Sequence, residues 1–315
     1  MAKKKKLPDI VEQIQNSPKR ELDWSYQKMV SYSQLTMFNQ CPKKWSLQYR
    51  EGYKSFTSNI HTTFGSAIHE VIQEYLDMMY YKSGAEADRV DWVEIFKDKL
   101  REEYLKKYKE NKNQHFSTPE QMNEFFEDGV KIIDFFKKKR NKYFSKRGWY
   151  LVGCEIPITQ IVNTKYPNVV YQGYIDVIMY NENTDTFLLI DIKTSTNSWK
   201  DKEKKDENKT QQLVLYKTLF AKQFNIDINK INIEYFILKR KIYEESEFSI
   251  PRIQQFRPPS GKSKQNKIIT SLNNFIENAF EQNGFKDREY IPVINDYCKY
   301  CPFYKTVKCT ATFED

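Results

Sequence analysis

Asp176 and the run Asp191-Ile192-Lys193 place charged side chains inside apolar, strand-like stretches. A carboxylate in such a stretch is costly unless it is paired or bound to a cation. Two carboxylates with a lysine beside them suit a hard divalent cation such as Mg2+ or Mn2+. The chemistry that set supports is hydrolysis of a phosphodiester, the lysine orienting or helping to deprotonate water and neutralising charge that develops on the phosphate. On its own, Asp-x-Lys reads first as a buried ion pair at a strand end, so the rest of the chain has to decide.

The elements that must position these groups are legible nearby. Residues 186–193 form a short β-branched and aliphatic run behind a turn-forming stretch at 181–185, which predicts a buried strand leaving a hairpin. With a side-chain period of two, Phe187, Leu189, Asp191 and Lys193 share one face. Residues 169–180 read as the partner strand, and antiparallel pairing would bring Asp176 towards Asp191. Upstream, apolar residues at 64, 67, 68, 71, 72, 75, 76 and 79 mark an amphipathic helix with His69 at the edge of its stripe. A lone histidine there is commonly a satisfied boundary residue, but an imidazole facing two carboxylates is also a common metal ligand. Downstream, Gln212 and Tyr216 stack at i and i+4 on a helix.

In order, the chain presents Gly65-x3-His69, Gly173-Tyr174-Ile175-Asp176, Asp191-Ile192-Lys193-Thr194 and Gln212-x3-Tyr216. That ordered set resembles the PD-(D/E)XK nuclease superfamily, specifically its RecB-like branch, over roughly residues 30 to 310. The resemblance implies an α/β (α+β) fold with a restriction-endonuclease-like core, a central mixed sheet flanked by helices. It implies His69, Asp176 and Asp191 as ligands of Mg2+ or Mn2+, with the backbone carbonyl of Ile192 completing the shell. Lys193 would be the catalytic lysine, and Gln212 and Tyr216 would contact nucleic acid. Glu155, in a strand-like segment, matches an acidic position that many relatives carry.

Five cysteines occur in the chain. Without a secretory signal or an apolar run long enough to span a bilayer, the expectation is a reducing cytoplasmic compartment, bacterial or that of a viral host, with no membrane partner. Cys298, Cys301 and Cys309 give C-x2-C-x7-C near the C-terminus, and Cys41 stands near the N-terminus. Four thiolates suffice for zinc or an iron–sulfur cluster, and free thiols are the third reading. One cysteine before the nuclease core and three after it resembles the iron–sulfur subset of RecB-like nucleases, which implies a 4Fe-4S cluster with zinc as the alternative. The seven-residue last gap is longer than is usual there. Cys154, inside a strand, reads as a core thiol.

A single domain is expected over 29–315, behind a basic, disordered tail at 1–28 that includes Lys3 to Lys6. Its parts are a helical region at 29–148, a catalytic sheet with its helix at 149–245, and a C-terminal helix with the cysteines at 246–315. Ser33 is the expected cap of a short entry helix, and Thr118-Pro119-Glu120-Gln121 opens a long one with a capping box. Strands are expected at 149–163, 168–181, 186–193 and 231–238, a helix at 208–224, and loops at 195–208 and 252–266. Gly261-Lys262-Ser263 lacks the first glycine of a P-loop, which excludes that nucleotide-binding motif. Fifty-one basic against 42 acidic residues, a formal +9, favours a polyanionic partner. The sequence therefore points to a metal-dependent DNA nuclease, expected to be an exonuclease on single strands or DNA ends, working with a helicase or recombination partner. Two alternatives stay open: a non-catalytic DNA-binding or assembly subunit, and an RNA-directed nuclease.

Overall fold

A computed structural model of the protein describes residues 6–18, 22–23, 25–53, 59–243 and 250–311. The N-terminal portion runs α1 (Asp9–Gln15), β1 (Lys28–Val30), α2 (Tyr32–Gln40), α3 (Pro42–Trp45) and a π-helical turn at Ser46–Arg50. Four helices follow: α4 (Ile60–Tyr81), α5 (Gly84–Arg89), α6 (Trp92–Glu110) and α7 (Pro119–Tyr143). Next come β2 (Trp149–Gln160), β3 (Val169–Asn181), β4 (Thr186–Ser195), α8 (Asp201–Lys205), α9 (Glu207–Phe224), β5 (Ile231–Lys239) and β6 (Ile253–Phe256). The chain closes with α10 (Lys262–Ala279), β7 (Phe280–Glu281) and β8 (Gly284–Phe285).

Two compact units emerge where one domain was expected. The first holds Met1–Pro18, Thr57–Ile156 and Tyr174–Ser260; the second holds Lys19–Phe56, Pro157–Gly173 and Gly261–Asp315. Sequence periodicity reports which face of an element is buried, not which elements share a core, so this division was not legible from the chain alone.

In the first unit the sheet is mixed, as expected. β3 and β4 pair antiparallel from Val177 opposite Ile190 to Asn181 opposite Thr186. β4 and β5 pair parallel from Phe187 opposite Ile231 to Ser195 opposite Lys239, with α8 and α9 as the crossover. β6 adds antiparallel to β5, Tyr235 facing Phe256. One face of the sheet carries Val177, Met179, Ile190, Ile192, Phe236 and Leu238 into a core with Phe64, Ile68, Tyr75 and Leu76 of α4, Phe96 of α6, and Phe125, Ile133 and Phe136 of α7. Each such side chain contributes about 1.5–3 kcal/mol by leaving water. α4 begins at a capping box between Asn59 and Thr62, and α7 at the expected box between Thr118 and Gln121 with Pro119 in the first turn.

The second unit packs α2, α3 and α10 around Trp45, whose ring meets Phe38, Phe275, Phe280, Phe285 and Tyr290 at centroid separations of 5.4–5.8 Å. β1 runs parallel to the first residues of β3, Lys28 opposite Val169.

Several local expectations are corrected. Residues 9–15 of the expected disordered tail form α1, with Val11 and Ile14 buried; Lys3 to Lys5 lie outside the described residues. Ser31, not Ser33, caps α2, accepting a bond from the Gln34 N–H at 3.4 Å. The charged stretch 195–208 contains α8 and is pinned by Trp199, buried against Tyr235 and held at both backbone N–H and C=O by the Gln254 amide at 2.7 and 3.1 Å. A single buried indole outweighs the many lysines around it. Residues 252–266 supply β6 and the start of α10, with Gly261 at the helix cap.

Gly129 of α7 lies against the buried Phe96 ring, where an added Cβ would sit 2.2 Å from Cε1. Alanine would gain about 1 kcal/mol of helix propensity but overpack a closed core at a cost of about 1–3 kcal/mol or more. Gly129→Ala is therefore expected to destabilise the protein in a urea titration; a stabilised variant would show that the Phe96 ring can move aside.

Candidate active site

The site is built where β3 and β4 part. Their ladder ends at Val177 opposite Ile190, and the next free N–H, that of Ile192, donates to Asp176 Oδ2 at 2.7 Å. A side-chain carboxylate thus takes the place of a ladder acceptor, which fixes Asp176 against the Asp191-Ile192-Lys193 run. Alternation sends Ile192 into the core and leaves Asp191 and Lys193 on the face that looks to α9, as the sequence predicts. Asp191 is 2% exposed, and Lys193 Nζ lies 2.7 Å from its Oδ2. Among the described residues that oxygen has no other polar partner, and the ammonium is its charge compensation.

α4 reaches the same place from the other side. A Cβ at Gly65 would meet Thr194 Oγ1 at 3.3 Å, so glycine permits the close approach of helix to strand. One turn on, His69 Nδ1 stands 3.7 Å from Asp176 Oδ2, with 23% of its side chain open to solvent. On α9, Gln212 accepts from Lys193 Nζ at 3.2 Å and donates to the Tyr216 hydroxyl at 3.2 Å. Tyr216 is 5% exposed. Its phenol therefore meets Lys193 through Gln212.

Glu155 joins through a residue the sequence did not single out. Gln73, one turn beyond His69 on α4, donates its Nε2 to Glu155 Oε1 at 2.7 Å and to the Asp176 carbonyl at 3.1 Å. Glu155 sits in β2 with φ +52°, a left-handed conformation that a strand residue rarely adopts and that costs of order 1–3 kcal/mol. The signal available in sequence was the polar Gln73 inside an apolar stripe, four residues from His69. Cys154 packs against the core as expected, and burial pushes its thiol above the ordinary range.

The electrostatics follow from this burial. Desolvation, and then the charge of Asp191, hold Asp176 well above the usual carboxylate range. Burial likewise raises Asp191, against the pull of Lys193. Burial also opposes the charge on Lys193, but the two carboxylates outweigh it and keep the lysine an ammonium. An ammonium there is suited to orienting and neutralising charge rather than to taking a proton. Burial, then the Lys193 charge, push His69 down to about 3, so its imidazole is neutral near pH 7.

Among the described residues no three or more His, Cys, Asp or Glu side chains stand in a ready-made metal-binding arrangement. The donor chemistry nonetheless fits a hard divalent cation: a neutral imidazole, two largely buried carboxylates with one lysine beside them, and an Asp191 oxygen with no hydrogen-bond donor among the described residues beyond the lysine.

The second unit holds the four clustered cysteines. Cys41, Cys298, Cys301 and Cys309 line one cavity, and none is in a disulfide. Backbone N–H groups of Lys44 and Val293 point at Cys41 Sγ at 3.4 and 3.5 Å, and that of Asn295 at Cys298 Sγ at 3.5 Å. Burial, together with the neighbouring Cys41, Cys301 and Cys298, raises the Cys309 thiol. Four thiols around one cavity, two of them met by backbone N–H groups, are a donor set that fits a cationic centre holding them as thiolates.

A family model described as the PD-(D/E)XK nuclease superfamily matches residues 29–306. The chain belongs to the PD-(D/E)XK nuclease superfamily. Its mixed sheet flanked by helices is accordingly a restriction-endonuclease-like fold. Members of this superfamily are nucleases that usually use Mg2+ or Mn2+, which supports a metal-dependent nuclease and hence a hydrolase. The chain is also similar to a solved structure titled "Crystal structure of SSO0001", at 15% identity over 93% of this chain and 89% of that one, with a TM-score of 0.36, too low to carry any argument. No curated protein matches the sequence significantly. No described helix is long and apolar enough to cross a membrane.

The raised carboxyl of Asp176 contributes to the pH behaviour of the metal-free protein. The folded state binds that proton more tightly than the unfolded chain, whose ordinary value is 3.8, so its contribution is complete below that pH and is lost as pH rises through the folded value. Asp176→Asn, which keeps the acceptor for the Ile192 N–H, is expected to raise the metal-free melting temperature at pH 7–8. The advantage should vanish near pH 4, and added Mn2+ should raise the melting temperature of wild type but not of the variant. Equal melting of the two metal-free proteins at pH 8 would contradict this account.

Proposed function

We propose that the chain is a metal-dependent deoxyribonuclease of the RecB-like branch, acting as an exonuclease on single strands or DNA ends in recombination, repair or phage DNA metabolism. The observation that carries this is the convergence of His69, Asp176 and the Asp191–Lys193 pair where two strands part, with Gln212 holding the lysine. A buried Asp191 paired with a half-buried Lys193, beside a second carboxylate, is an electrostatic cost that a catalytic role explains.

His69, Asp176, Asp191 and the Ile192 carbonyl would hold Mg2+ or Mn2+, which when bound supplies a Lewis acid for the phosphate and lowers the pKa of water. In the reaction a water oxygen bonds to phosphorus as the bond to the leaving oxygen breaks on the opposite side. The Lys193 ammonium stands ready to stabilise the charge that builds on the phosphoryl oxygens, and Gln212 and Tyr216 keep it from swinging away. Neutral His69 can coordinate without first losing a proton. Gln73 keeps the Glu155 carboxylate at the rim, where it can accept a hydrogen bond from an attacking water.

For the second unit we propose a 4Fe-4S cluster on Cys41, Cys298, Cys301 and Cys309, supported by their shared cavity and the N–H groups aimed at two of the sulfurs. Partner proteins such as a helicase, and the cytoplasmic location, belong to the same proposal.

With Mg2+ or Mn2+, the protein should digest end-labelled linear DNA and spare closed circular DNA, and RNA should compete poorly. Asp191→Ala and Lys193→Ala should each lower kcat by about a hundredfold or more. Intact DNA under every metal, or variants that cut like wild type, would refute the assignment. Protein purified anaerobically should be brown, and Cys298→Ala should lose the colour and melt at a lower temperature. A colourless protein with one zinc per chain would replace the cluster by zinc.

A further inference from the structure

In the first unit, the row of α4 that carries Gly65, His69 and Gln73 continues in steps of four to Asp77 and to Tyr81, the last residue of the helix. Residues four apart on a helix stack one turn above the other, so the row forms a single ridge that winds along α4. Gly65, His69 and Gln73 meet the active-site strands or Glu155. Asp77 and Tyr81 have no part in the chemistry above, yet both meet β2 just before Glu155. The Tyr81 hydroxyl donates to the Leu151 carbonyl at 3.0 Å. The Cys154 thiol donates to the Gln73 carbonyl at 3.9 Å, one turn before Asp77, and meets the Asp77 carboxylate there as well.

α1 closes the ridge from outside. Gln15 donates its Nε2 to the Tyr81 hydroxyl at 2.8 Å and to the Val152 carbonyl at 2.9 Å, and buried Val11 and Ile14 anchor the helix that carries it. Burial pushes the Tyr81 hydroxyl up to about 12, so it keeps the proton it donates. Leu151, Val152, Cys154 and Glu155 are thus each gripped by α4 or α1 within one short stretch of β2.

A regular strand could not be gripped in this way. Successive side chains of a strand point to opposite faces, whereas Cys154 and Glu155, neighbours in β2, both meet α4. Ile156 also folds back on Gly153, where an added Cβ would stand 2.7 Å from Ile156 Cδ1. In a straight strand, residues three apart lie on opposite faces and are separated by about 10 Å. The left-handed backbone of Glu155 sits at this bend. Such a conformation persists only where its surroundings over-determine it, and the contacts at Leu151, Val152 and Cys154 do so here.

We propose that Asp77 and Tyr81, with Gln15 behind them, are positioning residues: they clasp β2 at its bend and so deliver the Glu155 carboxylate to the active site, where Gln73 receives it. The proposal rests on the nuclease reading and extends it to residues about 12 and 18 Å along α4 from His69, which act on the reaction only through Glu155. The apolar face of α4 takes no part in the clasp, so the helix stays docked when a clasp contact is removed. A ridge that served only to anchor the helix would act on stability and leave the contribution of Glu155 as it was.

The test compares Tyr81→Phe, Asp77→Ala and Asp77→Asn, each alone and in a Glu155→Gln background, with melting curves to check folding. On end-labelled linear DNA with Mg2+, Tyr81→Phe and Asp77→Ala should each lower kcat about tenfold and leave KM within about twofold. Asp77→Asn, which keeps an acceptor for the thiol, should cut like wild type. In the Glu155→Gln background, itself slow, Tyr81→Phe and Asp77→Ala should cost nothing further, because the group they position is gone. Tyr81→Phe and Asp77→Ala proteins that cut like wild type, or that lose the same factor with and without Glu155, overturn the proposal. A second readout needs no turnover. Hydrogen exchange of the β2 peptide that carries Glu155 should be about fivefold faster in Tyr81→Phe and Asp77→Ala, the change that one lost hydrogen bond allows, and unchanged in Asp77→Asn. Equal exchange in wild type and all three variants overturns the clasp whether or not the protein cuts. A wild type that cuts nothing while exchange follows the expected pattern refutes the nuclease reading and leaves the clasp on Glu155 standing.

Discussion

A carboxylate at position 191, buried in the middle of a sheet with Lys193 as its charge partner, is the constraint on which the first unit is arranged. An isolated ionised carboxylate in such a place would cost several kcal/mol. The strand tolerates it because Lys193 follows on the same face, because Gln212 and Tyr216 on α9 steady that lysine, and because β3 turns aside there to bring Asp176 onto the Ile192 N–H. Each accommodation serves chemistry as well as stability. The same features that make the pair bearable leave two carboxylates short of positive charge, which a divalent cation would supply.

α4 supports this arrangement through three polar or small residues set in an otherwise apolar stripe. Gly65 lets the helix approach Thr194, His69 faces Asp176, and Gln73 ties the Glu155 side chain to the Asp176 backbone. The spacing of four residues between successive members is that of one helical turn, so a single rigid helix sets all three. The strained backbone at Glu155 belongs to the same scheme: a bent β2 turns its carboxylate to meet Gln73. The large aromatic core beneath, from Phe64 through Phe96, Phe125 and Phe136, supplies the rigidity that holds such strain.

The second unit solves a different problem. Its core is small and aromatic, centred on Trp45, and the segment carrying the last three cysteines has little regular structure beyond a short turn at Asp296–Tyr300. Exposed Ile291, Tyr297, Tyr300 and Val307 show how little apolar burial this segment achieves. A centre bridging Cys41 to the C-terminal cysteines would supply the cross-link that packing does not.

What the sequence determined by itself was local and periodic. Alternation along residues 186–193 placed Asp191 and Lys193 on one face, the heptad-like stripe of α4 put His69 at its edge, and Thr118 with Gln121 announced the start of α7. Side-chain direction in strands and helices follows from backbone geometry within a few residues, which is why these survive without knowledge of the rest of the chain. What only the tertiary structure decided depends on residues far apart meeting. The Gln73 bridge to Glu155 spans 82 positions, the ion pair between Asp128 and Arg240 spans 112, and Trp199 pins a lysine-rich loop by reaching Gln254. No periodicity encodes such pairs, because they are set by how helices and strands cross. The division into two units and the burial of Tyr216 behind Gln212 belong to that second class.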